Sequence, residues 1–226
     1  MTEHNSERPM LEFVDPRRLQ VRPADFSVQE YRVLEEVNRK VAAGETLQKV
    51  MDFVFEATRD IFPCDRIGLA FLQEGGQRVV AHLARADYEP LLLTKGYVQD
   101  LRGSSLAAVL KTNRLRIIND LEAYLKRKPQ SESTALLVQE GVRSSMTCPL
   151  MVENRPLGFL FRSSRSPYAY SHREAALHLA MAERISQAVE KAYRIEELEA
   201  ANRAYFEMLG FVSHELKSPL ASVVMD

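Results

Sequence analysis

Gly141-Val142-Arg143-Ser144-Ser145-Met146-Thr147-Cys148-Pro149-Leu150-Met151-Val152-Glu153-Asn154-Arg155-Pro156-Leu157-Gly158-Phe159-Leu160-Phe161-Arg162 reads as two strands and the turn between them. Ser144 to Val152 is rich in apolar and β-branched side chains, Glu153-Asn154 supplies turn chemistry, and Leu157 to Arg162 is apolar again. The same signal occurs earlier, where Ile67 to Leu72 and Val79 to Leu83 flank Glu74-Gly75-Gly76. Strands joined by turns this short pair antiparallel, so the sheet is expected to be built from hairpins.

Helical patterns surround these hairpins. Ser27-Val28-Gln29-Glu30 is a capping box, and Leu34, Val37 and Val41 mark the helix it opens, which stops at Gly44. Thr46 caps a second helix with the apolar face Leu47, Val50, Met51, Val54, Thr58 and Ile61, ended before Pro63. Ser104 or Ser105 caps a short helix reaching Lys111. Leu115 to Ile118 is a strand, and Asn119-Asp120 turns the chain. The basic run Lys126-Arg127-Lys128 is read as a solvated face, with a helix near Thr134 to Glu140. Residues 86 to 103 are the least regular, with Leu91-Leu92-Leu93 taken as a strand leading into a loop. Ser171-His172-Arg173-Glu174 is another capping box and opens a long C-terminal helix. Residues 1–26, with Pro9, Pro16 and Pro23 and little periodicity, are expected to be a flexible or loosely docked leader. The fold class is α+β: an antiparallel sheet with helices on both sides, followed by a long coiled-coil helix.

Composition narrows the function. The 226 residues are 46% hydrophobic, and 30 basic against 31 acidic residues give a net charge of −1. That balance gives no bulk electrostatic case for nucleic acid or a membrane surface. Cys64 and Cys148 have no metal-ligand spacing, so no metal site is expected. No apolar run approaches the roughly 20 residues that cross a bilayer. With no signal-peptide pattern at Met1 to Arg8, a cytoplasmic location is expected.

Three segments resemble the GAF sensor fold. They are Gly103 through Leu121, ending in Lys111-Thr112-Asn113-Arg114-Leu115-Arg116-Ile117-Ile118-Asn119-Asp120-Leu121; Gly141 to Ser145 with Cys148-Pro149-Leu150; and Leu157-Gly158-Phe159-Leu160. The resemblance covers about residues 29 to 195, and the paired helices before the first strand favour GAF over the neighbouring PAS fold. It implies a small-molecule ligand, of unknown identity, held between the sheet and the segment near residues 91 to 140. The Asn-Lys…Asp-Glu pattern of cyclic-nucleotide-binding GAF domains is absent, as is the Cys-His dipeptide associated with covalently attached bilins. His82, in a strand, is read as a hydrogen-bonded side chain rather than a haem ligand. Cys64 and Cys148 are read as small hydrophobes rather than redox sensors.

A second stretch, Phe211-Val212-Ser213-His214-Glu215-Leu216-Lys217-Ser218-Pro219-Leu220, carries chemistry. Leu198, Asn202, Tyr205, Leu209, Val212 and Leu216 follow a heptad seam that puts His214 at its outermost position. A neutral imidazole there is a nucleophile, and the carboxylate of Glu215 is placed to take the proton from its other nitrogen. Pro219 cannot donate to the carbonyl of Glu215, so a bend is expected just past the histidine. This run closely resembles the H-box of sensor histidine kinases. The resemblance implies that His214 is the phospho-acceptor, that Glu215 assists attack on ATP, and that Ser218 stands where the family's phosphatase residue is usually Thr or Asn. ATP, with Mg, would be bound by a domain absent from this chain, so autophosphorylation by this chain alone is not expected. The implied partners are a second copy of the chain through the C-terminal helix and the receiver domain of a response regulator. The expected organisation is a leader over 1–26, a GAF sensor domain over 27–195, and over 196–226 a signalling helix with the start of the phospho-acceptor domain. The alternative is a stand-alone GAF module that binds a ligand or dimerises without kinase activity.

Met181, Ile185, Ala188, Ala192 and Ile195 form an earlier heptad seam, out of phase with the one that starts at Leu198. The offset equals a three-residue insertion, so a local overwinding of the coiled coil is expected there.

Overall fold

The computed structural model describes residues 8–19, 21 and 25–223, without the side chains of 187, 196, 200 and 210–223. The elements are β1 (Leu11–Val14), α1 (Val28–Ala42), α2 (Leu47–Thr58), β2 (Arg66–Gln73), β3 (Arg78–Ala86), β4 (Val98–Asp100) and α3 (Ser105–Thr112). They continue with β5 (Leu115–Ile118), α4 (Leu121–Arg127), α5 (Glu132–Gln139), β6 (Ser144–Val152), β7 (Arg155–Ser164) and α6 (His172–Val223). The described strands form one seven-stranded sheet in the order β1-β5-β6-β7-β2-β3-β4. Every pairing is antiparallel, and both expected hairpins are present. The chain divides into compact units at residues 1–189 and 190–226.

Local chemistry starts the helices where the sequence placed them. Ser27 Oγ accepts from Glu30 N at 3.2 Å while Glu30 Oε2 accepts from Ser27 N at 2.5 Å, closing the capping box. Thr46 Oγ1 caps α2 through Lys49 N at 3.4 Å, and Glu174 Oε2 accepts from Ser171 N at 2.7 Å at the start of α6. Within the leader Leu11–Val14 are docked rather than mobile, as the edge strand β1 on β5. Asn119 secures it, with its N–H on Met10 O and its Nδ2 on Pro9 O, both at 2.8 Å. Four residues are too short for alternation to announce a strand. The order of 86–103 is also corrected: Leu91 to Leu93 are not a strand, and the edge strand is β4. Asp120 ends the turn as the N-cap of α4, its Oδ1 accepting from Ala123 N at 3.0 Å.

One face of the sheet carries α1, α2 and the first part of α6. Val50, Phe55, Ile67, Phe71, Ile117, Met146, Leu160, Met181 and Ile185 are all fully or almost fully buried there. At about 1.5–3 kcal/mol for each large apolar side chain, this layer is a large stabilising contribution. Gly158 permits the close β2–β7 approach beside the bulge at Leu69/Ala70. A Cβ on it would lie 2.0 Å from the Ala70 carbonyl oxygen. Arg162, Thr58 and His178 are polar side chains buried in the same layer. Arg162 donates from Nη1 to Thr58 Oγ1 at 2.8 Å and lies 4.1 Å from the Phe62 ring centroid. His178 contacts Leu160 O through Nε2 at 3.3 Å.

The burial of Met181 and Ile185 changes the reading of the upstream heptad seam. These side chains, with Val189, are buried within the unit formed by residues 1–189, so they are not a coiled-coil face. In residues 190–226, taken separately, Ile195, Leu198, Tyr205 and Leu209 are exposed at heptad spacing. Ile195 fits this downstream phase, three residues before Leu198. The offset therefore separates a domain-packing face from an exposed stripe rather than interrupting one continuous seam. Among the described residues no helix is long and apolar enough to cross a membrane.

Candidate functional site

The opposite face of the sheet is only partly filled. Alternate strand residues point to it: Gly68 and Ala70 from β2, Ala81 and Leu83 from β3, Arg116 and Ile118 from β5, Phe161 and Ser163 from β7. Over them lie α3, α4, α5 and the segment between β3 and α3. Between the two layers is a cavity of about 390 Å³, in the position expected from residues 91 to 140. Its size lies within the range of small-molecule sites, and its walls are mostly apolar.

A buried ion pair fixes the segment that roofs this cavity. Arg66 Nε lies 3.2 Å from Glu140 Oε2, with both side chains almost completely buried. Glu140 Oε1 also accepts from Leu92 N and Leu93 N, each at 2.8 Å, and Oε2 accepts from Tyr88 OH at 2.7 Å. Arg66 Nη2 donates to Leu93 O at 2.6 Å. Burial and the adjacent Glu140 carboxylate push the Tyr88 phenol well above its ordinary value, so it stays a donor. Glu140 reaches this position because the chain reverses directly behind it at Gly141, whose φ of +84° favours glycine. Residues 88–93, which form no regular element, are thus held by side-chain and backbone bonds to the end of α5.

The second polar group is Arg116. Its Nη1 donates to Ser105 Oγ at 2.7 Å and its Nη2 to Thr147 Oγ1 at 2.8 Å. Ser105 Oγ in turn lies 2.8 Å from Tyr124 OH. Arg116 is 7% exposed, and desolvation lowers its pKa to about 10 despite the opposing influence of Tyr124. No ion pair forms on it among the described residues, and its Nε has no acceptor there. Arg66 and Arg116 were not singled out from sequence. The available signal was a charged residue inside an otherwise apolar strand, as in Leu115-Arg116-Ile117-Ile118. Glu140 offered no such signal, because it reads as an ordinary polar residue near a helix end.

The other sequence candidates lie elsewhere. His82 stacks on Phe71 at a centroid distance of 4.6 Å and does not line the cavity. Cys64 and Cys148 are buried away from it, and burial raises both thiol pKa values, which keeps them protonated. The backbone at His214, Glu215 and Ser218 is helical within α6, while their side chains lie outside the described residues.

A family model described as GAF domain matches residues 44–190. The GAF domain of an Acinetobacter phosphoenolpyruvate-protein phosphotransferase superposes with a TM-score of 0.58 at 15% identity, covering 75% of this chain and 98% of that one. The phycoerythrobilin-bound GAF domain of a cyanobacterial phytochrome gives 0.56 at 15% identity, with 74% of this chain and 100% of that one covered. The GAF region of a putative membrane protein from Geobacter sulfurreducens PCA gives 0.51 at 22% identity, covering 69% and 98% respectively. Such identities establish a shared fold. Among curated proteins no match is found.

Proposed function

The chain belongs to the GAF domain family, and from that premise we propose that it is the sensory and phospho-acceptor part of a two-component sensor histidine kinase. A small molecule in the cavity is the signal, and His214 receives the phosphoryl group. The observation that carries this reading is the continuity of α6. The helix that buries Met181 and Ile185 in the sensor core continues, as helix, through the motif Ser213-His214-Glu215-Leu216-Lys217-Ser218-Pro219-Leu220.

In the proposed reaction ATP is the donor, held with Mg by a domain outside this chain. An unprotonated ring nitrogen of His214 attacks the γ-phosphorus, the bond to the ADP oxygen breaks, and Glu215 takes the proton from the other ring nitrogen. The phosphoryl group then passes to a carboxylate on a response regulator. Phosphoryl transfer of this kind depends chiefly on positioning and charge stabilisation, so the geometry of a helix is a suitable control. Ser218 is assigned to a position bearing on dephosphorylation. The exposed stripe Ile195, Leu198, Tyr205 and Leu209 supports pairing with a second copy.

The second reading, a stand-alone ligand-binding or dimerisation module without kinase activity, rests on the family match over residues 44–190 alone. Labelling with γ-labelled ATP distinguishes the two, using a chain extended through an ATP-binding domain. Acid-labile phosphate should appear on the wild type, vanish in His214→Gln and accumulate much more slowly in Glu215→Gln. Undiminished labelling of His214→Gln would remove the phospho-acceptor assignment. The bilin-bound relatives do not extend this reading to a covalent bilin, since neither Cys64 nor Cys148 lines the cavity.

A further inference from the structure

Arg116 and Arg162 are both buried arginines without a carboxylate partner among the described residues, but only one faces empty space. Arg162 is packed between the Phe62 ring, Thr58 and Met181, away from the cavity. Arg116 lines the cavity and uses its terminal nitrogens on Ser105 and Thr147, neutral hydroxyls that do not balance its charge. Its Nε is buried with no acceptor among the described residues. A guanidinium taken out of water and left unpaired is costly, and a matching anion removes much of that cost.

The other charges around the cavity are either already paired or peripheral. Arg66 is matched by Glu140. Asp100 pairs with Arg102 at 2.5 Å, with Arg102 largely exposed. Lys128 and Glu132 are exposed. The interior of the cavity thus carries one unmatched positive charge, Arg116, flanked by the hydroxyls of Ser105 and Tyr124. Ser145 and Ser163 also line it, and much of the remaining wall is apolar, including Ala70, Ala81, Leu83, Leu106, Ile118 and Phe161.

We infer that the ligand of this cavity is an organic anion, a small carboxylic acid with an apolar body, whose carboxylate pairs with Arg116. This rests on the reading of the cavity as the sensory site and names the class of its ligand. The guanidinium presents a planar pair of donors to a carboxylate, Ser105 holds it in place, and Tyr124 OH offers a further donor. The apolar wall takes the body of the molecule.

Matched acids and amides test it on the chain as it stands. Hexanoate, benzoate and 3-phenylpropanoate are each titrated against their primary amides by calorimetry, with wild type and Arg116→Gln. In wild type at least one acid should bind about tenfold or more tightly than its amide, the scale of a hydrogen bond to a charged group. In Arg116→Gln that preference should collapse. Because the variant leaves a cavity lined differently and its folding is itself at stake, the wild-type Arg116 Nε–H resonance provides a second readout. It should shift on addition of the binding acid and stay in place with the amide. Amides that bind as well as the acids, or a preference that survives in folded Arg116→Gln, would overturn the anionic assignment while leaving a ligand site intact. Absence of binding by every acid and amide would overturn the assignment together with the sensory reading of the cavity.

Discussion

His178 lies fully buried between β7 and α6, with Nε2 against Leu160 O and the positive charge of Arg162 nearby. Desolvation, reinforced by Arg162, lowers its pKa from 6.5 to about 3, so the folded protein holds it neutral. Between those values the unfolded chain binds a proton that the folded chain refuses, so stability rises with pH across that window. As pH falls from 7 to 5, this one group should withdraw about 2 kcal/mol. Urea midpoints for wild type and His178→Phe at both pH values check it. The variant should lose less on acidification, and an equal loss would show that His178 does not carry the effect. From sequence, His178 is one polar residue in a long helix, and only the packing of α6 on β7 reveals its burial. Arg116 was partly legible, since a charge inside an apolar strand requires an explanation. Glu140 was not, because its role comes from bonds to residues 88–93, far away in the chain.

At the scale of elements, caps and hairpins were readable because their causes are local. Ser27 and Glu30 satisfy each other across three residues, and the turn at Glu153-Asn154 adopts positive φ between adjoining strands. β1 and β4 escaped because short edge strands depend on partners supplied by β5 and β3. α6 shows the other difficulty: heptad spacing alone does not distinguish a face that packs on its own domain from one that meets a second chain. Burial identifies the face that packs on its own domain, with Ile185 covered there and Leu198 66% exposed. The proposed dimer should therefore depend on the exposed stripe. Sedimentation of this chain should find a dimer, and Leu198→Glu combined with Leu209→Glu should weaken it by about tenfold or more, since each change places a charge in an apolar contact. Unchanged association would show that the stripe is not the contact.

At the scale of the molecule, the sheet divides two tasks. One face is packed solid against α1, α2 and α6, and the other retains a cavity beneath a segment held by the Arg66–Glu140 pair. β7 contributes to both faces, giving Phe161 to the cavity and Arg162 to the layer that touches α6 through Met181. A change in the cavity thus has a short physical route to α6 at Met181, and the proposed function requires coupling between the cavity and the proposed phospho-acceptor His214. A decisive experiment is the initial rate of acid-labile phosphate incorporation at His214 in the extended chain, with the cavity open or filled. Ala81→Leu places additional apolar volume into the cavity from β3. Coupling requires rates that differ by about fivefold or more, the lower range of allosteric coupling. Equal rates, with the filled variant folded and its His214 still phosphorylated, would contradict it.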